Sequence, residues 1–146
     1  MKKIIISLIL CISVLFCVSV YAESENITVF VNGSVLETPI PAQLVNDRTM
    51  LPMRSVFESL GAKVTWFGED RIIFAVKGDT FITLKIGVSE MSVQKIGSDE
   101  NVSVSLDTAP YIDRDYTLVP VRAAAEALQA EVLWEAENRT VHISAK

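Results

Sequence analysis

"DRTMLPMRSVFESLGAKVTW", Asp47–Trp66, and "DYTLVPVRAAAEALQAEVLW", Asp115–Trp134, lie 68 residues apart and decide the fold. Aligned without a gap over 47–74 and 115–142, the chain matches itself at 11 of 28 positions, among them Pro52/Pro120, Arg54/Arg122, Glu58/Glu126 and Trp66/Trp134. Chance does not produce that density. Substitutions such as Met50/Leu118 and Met53/Val121 keep the apolar character. Self-similarity at one long period marks a duplicated supersecondary unit, although two copies are too few for a solenoid.

Each copy has the same physical content. Pro52 and Pro120 suit the first turn of a helix, where a missing N–H leaves no partner unsatisfied. Beyond them, Met53, Val56, Phe57 and Leu60 fall at helical spacing, as do Val121, Ala124, Ala125 and Leu128, giving each helix one apolar stripe. Gly61 supplies a helix stop in the first copy. Gln129 occupies that place in the second, which predicts a C-cap built differently. The period then changes to two. Val64 and Trp66 alternate with Lys63 and Thr65, and Val132 and Trp134 with Glu131 and Leu133. Polar turns follow at Gly68-Glu69-Asp70 and Ala136-Glu137-Asn138, and the returning strands are read as starting at Arg71 and Arg139.

The remaining stretches are strand-like. "NITVFVNGSVLE" turns at Asn32-Gly33, a strong hairpin signal. "DTFITLKIG" places Ile82, Leu84 and Ile86 on one face, and "SEMSVQKI" and "NVSVSL" alternate around Gly97-Ser98-Asp99-Glu100. A unit of one helix and a few strands has an apolar sheet face that it cannot cover alone. The expected fold is therefore α+β: two tandem β-rich repeats, about 27–77 and 88–145, each with one short helix packed on antiparallel strands, sharing one core.

The chain opens with Met1-Lys2-Lys3, an apolar run Ile4–Val20 and a small-residue close at Val20-Tyr21-Ala22. This is the layout of a secretory signal peptide over 1–22, leaving a single domain, 23–146. The alternative is a retained anchor, although 17 residues sit at the short edge of the roughly 17–25 that span a bilayer. Cys11 and Cys17 both fall inside the leader, so the remainder must fold on its apolar core without disulfides. Once Lys2 and Lys3 are removed, 11 of 13 basic residues face 18 acidic ones, a net charge of about −7. That argues against nucleic acid and against anionic lipid as partners, and the chain is expected to have no membrane contact once the leader is cleaved. Four N-x-S/T triplets, at Asn26, Asn32, Asn101 and Asn138, bear on function only where secreted asparagines are glycosylated.

"NDRTMLPMRSVFESLGAKVTW" and "DRDYTLVPVRAAAEALQAEVLWEAENRTVHI" resemble the copper amine oxidase N-terminal-like, or stalk, domain. The family pattern is a VNG hairpin, RTLVPLR, a short helix ending LGA, V.W, a charged turn and RTV. It is met by Val31-Asn32-Gly33, Arg48-Thr49 through Arg54, Leu60-Gly61-Ala62, Val64 and Trp66. The second copy meets it with Thr117 through Arg122, Leu128, Ala130, Val132, Trp134 and Arg139-Thr140-Val141. Tyr116 and Gln129 depart from it. The resemblance implies a secreted or surface module that holds neither the copper nor the quinone of the oxidases named with it.

Residue chemistry gives no catalytic, cofactor-binding or metal residue. The single histidine, His142, falls on the strand face opposite Val141 and Ile143 and reads as exposed. A copper or zinc site needs several such ligands. Glu58 and Glu126 are the carboxylates that could act as a pair on a glycan. Each lies four residues after an arginine, so ion pairs Arg54–Glu58 and Arg122–Glu126 are the plainer expectation. Asp47 and Asp115 are expected to hold turns before the helices. Trp66 and Trp134 read as core or core-edge, whereas Phe67, Tyr111 and Tyr116 are candidates for an exposed aromatic patch. The leading expectation is a secreted or envelope-associated, non-catalytic binding module whose partner is a cell-wall polymer or a secreted protein. The alternatives are a wall-glycan hydrolase with paired carboxylates, or an accessory or inhibitory subunit of a secreted enzyme, which calls for an exposed apolar patch.

Overall fold

A computed structural model describes residues 26–146, and the segment read as a signal peptide lies outside them. The architecture is mostly β, with two short helices. In chain order the elements are β1 (Thr28–Val31), β2 (Ser34–Val35), β3 (Gln43–Val45), β4 (Arg48–Pro52), α1 (Met53–Ser59), β5 (Lys63–Phe67), β6 (Ile72–Lys77) and β7 (Thr80–Lys85). They continue as β8 (Glu90–Lys95), β9 (Asn101–Ser105), β10 (Tyr111–Asp113), β11 (Tyr116–Pro120), α2 (Val121–Ala127), β12 (Glu131–Glu135) and β13 (Thr140–Ser144). Among the described residues no helix is long and apolar enough to cross a membrane.

Three sheets form: β12-β13-β1-β2, β10-β11-β4-β3 and β5-β6-β7-β8-β9. The strands of the two halves intermix. The β1–β2 hairpin joins the sheet of β12 and β13, while β8 and β9 extend the sheet of β5 and β6 through β7. Most pairs are antiparallel as expected, but β1 runs parallel to β13, with Val29 opposite Val141. In the central sheet β4 and β11 pair antiparallel, Leu51 opposite Val119, and each leads straight into its helix.

Both helices face one core. Val56 and Phe57 of α1 and Ala124 and Ala125 of α2 are fully buried, and the helices pack on each other. Large side chains on one helix opposite alanines on the other let the axes approach without a void. Ile73, Ile82, Leu84, Met91 and Ile143 close the same cluster from the outer sheets. A second, small cluster of Ile40, Met50 and Leu118 lies across the central sheet, where the two-residue period turns alternate side chains away from the helices.

Four details differ from the sequence expectations. Pro52 and Pro120 end their strands as N-cap residues, one position before the first helical turn. The two C-caps are built alike. Gly61 (φ 83°) and Gln129 (φ 64°) both adopt the left-handed conformation. Each donates to the carbonyl three back, and Ala62 and Ala130 donate to Phe57 and Ala125 five back. This Schellman pattern is imposed on a glutamine because the hydrogen bonds and the buried Leu128 and Ala130 on either side fix the turn. Arg71 (φ 55°) and Arg139 (φ 48°) complete turns, so β6 and β13 start one residue later than expected. Asp47 (φ 59°) and Asp115 (φ 67°), with Asn46 and Arg114 also at positive φ, form two-residue hairpin turns before β4 and β11. Their place is before a strand, because positive φ at both central residues matches the strand twist.

Candidate functional site

A groove of about 450 Å³ lies beside α2. Its apolar surface comes from Val104 of β9, Val121 of α2, and Val132 and Trp134 of β12. Each is placed by its element's period: Val104, Val132 and Trp134 are half-buried against the core, while Val121 belongs to it. The rim is charged and carries Asp47, Arg48, Asp107, Arg122 and Glu126. Arg48 Nε donates to Asp107 Oδ2 at 2.6 Å, joining β4 to the loop after β9. Both side chains are exposed, so the pair contributes little to stability.

The carboxylates singled out from sequence behave unequally. Arg54 Nη1 donates to Glu58 Oε1 at 3.2 Å, the expected i,i+4 pair on an exposed face. The matching Arg122–Glu126 pair is not formed. Among the described residues neither side chain has a hydrogen-bond or ion-pair partner, and both stand at the groove rim. Glu58 and Glu126 are both exposed, so neither is a buried cleft carboxylate.

Trp66 and Trp134 are half-buried at the core edge, as expected, and Trp134 also lines the groove. Phe67 (48 % exposed) and Tyr116 (37 %) are open to solvent but stand on different sheets. Tyr111 is not part of an exposed patch. It is half-buried against the small cluster, and its hydroxyl donates to Gln43 Oε1 at 2.6 Å. Gln43 Nε2 in turn donates to Asp113 Oδ2 at 2.6 Å, tying the outer strands of the central sheet together. Burial first, and the charge of Asp113 second, push the Tyr111 hydroxyl above its ordinary 10.0. His142 has an exposed side chain, as expected, with one ring face stacked on Phe30 at a centroid distance of 5.3 Å and Nε2 3.4 Å from Glu135 Oε2. Sequence reasoning had no route to the groove, because β9, α2 and β12 meet only in the folded chain.

The fold is mostly β-sheet with two short helices, each entered directly from a strand and followed by a strand pair. The sequence pattern of the copper amine oxidase N-terminal domain matches residues 30–143, and the chain belongs to that family. It is also similar to a protein described as "Protease inhibitor" from Brevibacillus choshinensis, with 31% identity over 108 residues. That match covers 74% of this chain and 31% of the relative, so the chain spans about a third of the relative's length. No solved structure matches the chain. The donor set does not fit the copper of the family's name. Among the described residues no group of three or more His, Cys, Asp or Glu is placed to hold a metal ion, and the single His142 is stacked on Phe30.

Proposed function

We propose that this chain is a secreted, non-catalytic module that binds a protein partner and acts as an accessory or inhibitory subunit of an extracellular enzyme. The observation that carries the reading is the groove beside α2: an apolar floor of Val104, Val121, Val132 and Trp134 inside a rim of unlike charges. An apolar centre ringed by polar groups is the usual anatomy of a protein-binding surface. The relative's description as a protease inhibitor supports the inhibitory form. The duplicated motif supports a tandem-repeat origin in which each half completes the other's sheets.

The test is enzymological. Purified 23–146 is titrated against a serine, a cysteine and a metallo-endopeptidase, with turnover of a protein substrate as the readout. The same chain is passed over immobilised culture proteins and over wall polymer stripped of protein. Saturable inhibition, or a stoichiometric complex with a secreted enzyme, is expected. Retention on stripped wall alone would replace this reading with polymer binding, and no inhibition with no retention would end both.

A further inference from the structure

The two walls of the groove are unpaired sheet edges, since β9 ends one sheet and β12 ends another. Which backbone groups point into the open follows from hydrogen-bond parity. Thr28 N–H donates to Arg139 O and Asn32 N–H to Ile143 O, so the odd-numbered residues of β13 turn their polar groups toward β1. The even-numbered ones face β12. Register then turns Glu131, Leu133 and Glu135 toward β13 and leaves the N–H and C=O of Val132 and Trp134 directed outward. On the other wall, Leu106 N–H donates to Ser89 O, which turns Val104 toward β8 and leaves Ser103 and Ser105 facing out.

The first half has the corresponding edge partly covered. Val64, 68 residues before Val132, has its outward carbonyl covered by Arg54 Nη1 at 3.4 Å, with Glu58 holding the guanidinium in place. Arg122 makes no such contact with Val132 among the described residues. One outward carbonyl of the first edge is covered by its own arginine, whereas the corresponding carbonyl of Val132 is open, with a cation and a carboxylate that have no partner among the described residues beside it. Open backbone rows, an apolar floor and charges of both signs fit an extended peptide better than a globular surface or a sugar.

We propose that the groove seats one extended strand of the protein partner, hydrogen-bonded to the outward N–H and C=O groups of Val132 and Trp134. Its alternate apolar side chains rest on Val104 and Val121, and its flanking charges meet Arg122 and Glu126. The proposal rests on the protein-binding reading above, but it makes its own claim about how the partner is held.

The probes are three acetylated, amidated nonapeptides of alternating valine and threonine: one lysine-flanked, one glutamate-flanked and one with a lysine and a glutamate. They are added to 23–146 carrying Trp66→Phe, so that the emission reports Trp134. Binding of at least one peptide is expected to shift that emission and to slow amide exchange at Val132 and Trp134 roughly tenfold or more, leaving Leu133, already paired to β13, unchanged. Val132→Pro removes an outward donor without breaking a bond to β13 and is expected to abolish binding, whereas Val132→Ala retains it. Each variant's unfolding transition is recorded alongside. If Val132→Pro fails to fold, exchange in the natural chain decides the matter. Absence of protection at both amides with all three peptides overturns the proposal, as does equal binding by a folded Val132→Pro. Peptide binding without enzyme inhibition would keep the strand groove and remove the inhibitory reading. Inhibition without peptide binding would do the reverse.

Discussion

Gln129 holds φ 64° at the end of α2, where Gly61 holds 83° at the end of α1. A Cβ at Gly61 would meet only Lys77 Cε at 4.0 Å, so the difference between the sites is conformational and not steric. Gln129→Gly is therefore expected to raise stability by about 0.5–1 kcal/mol, the left-handed penalty less the extra entropy of glycine in the unfolded chain. Gly61→Gln should lower it by a similar amount, and both are read from denaturant midpoints. Tyr111 gives a second test at this scale. Its folded-state pKa lies above the ordinary 10.0, so the unfolded chain releases that proton first as pH rises. The stabilisation is complete below pH 10.0 and is lost as pH climbs through the folded value. Tyr111→Phe should cost about 1 kcal/mol at neutral pH through the lost bond to Gln43. It should also flatten the alkaline fall in stability, as urea titrations on both sides of pH 10.0 would show.

The helices are seven residues each and carry no side-chain cap at their N-termini. Helices this short are marginal alone, so packing must supply their stability. Phe57 of α1 is fully buried and α2 presents Ala124 and Ala125 to the shared core. Phe57→Ala is expected to cost about 3–5 kcal/mol, and Ala125→Leu about 1–3 kcal/mol by overpacking. Combining the two should recover part of the loss, which a double-mutant cycle measured by thermal unfolding would show. Helix positions and their apolar faces were legible because their period and their prolines are local signals. Asp47 and Asp115 were legible as turn residues, but not as parts of two-residue hairpins leading into β4 and β11, since neither turn contains the glycine that usually announces one.

The three sheets cannot be divided between the halves of the chain. β1 and β2 complete the sheet of β12 and β13, and β7 bridges β6 to β8. Fragments 26–78 and 79–146 are each expected to lack a cooperative thermal transition, because each would expose sheet edges and core faces that the other covers. Mixing them should restore at least part of the native circular dichroism. Independent folding of either fragment would show that the shared core is not what holds the halves together.

Local pattern determined both helices and their apolar faces, the hairpin strands that follow them and the family pattern, since periodicity and turn chemistry act over a few residues. The tertiary structure decided the rest. Parallel pairing of β1 with β13 and the conversion of Tyr111 from surface candidate to half-buried donor depend on contacts far apart in sequence. So does the groove, because an open edge is defined by which strands fail to meet, and only the folded chain states that.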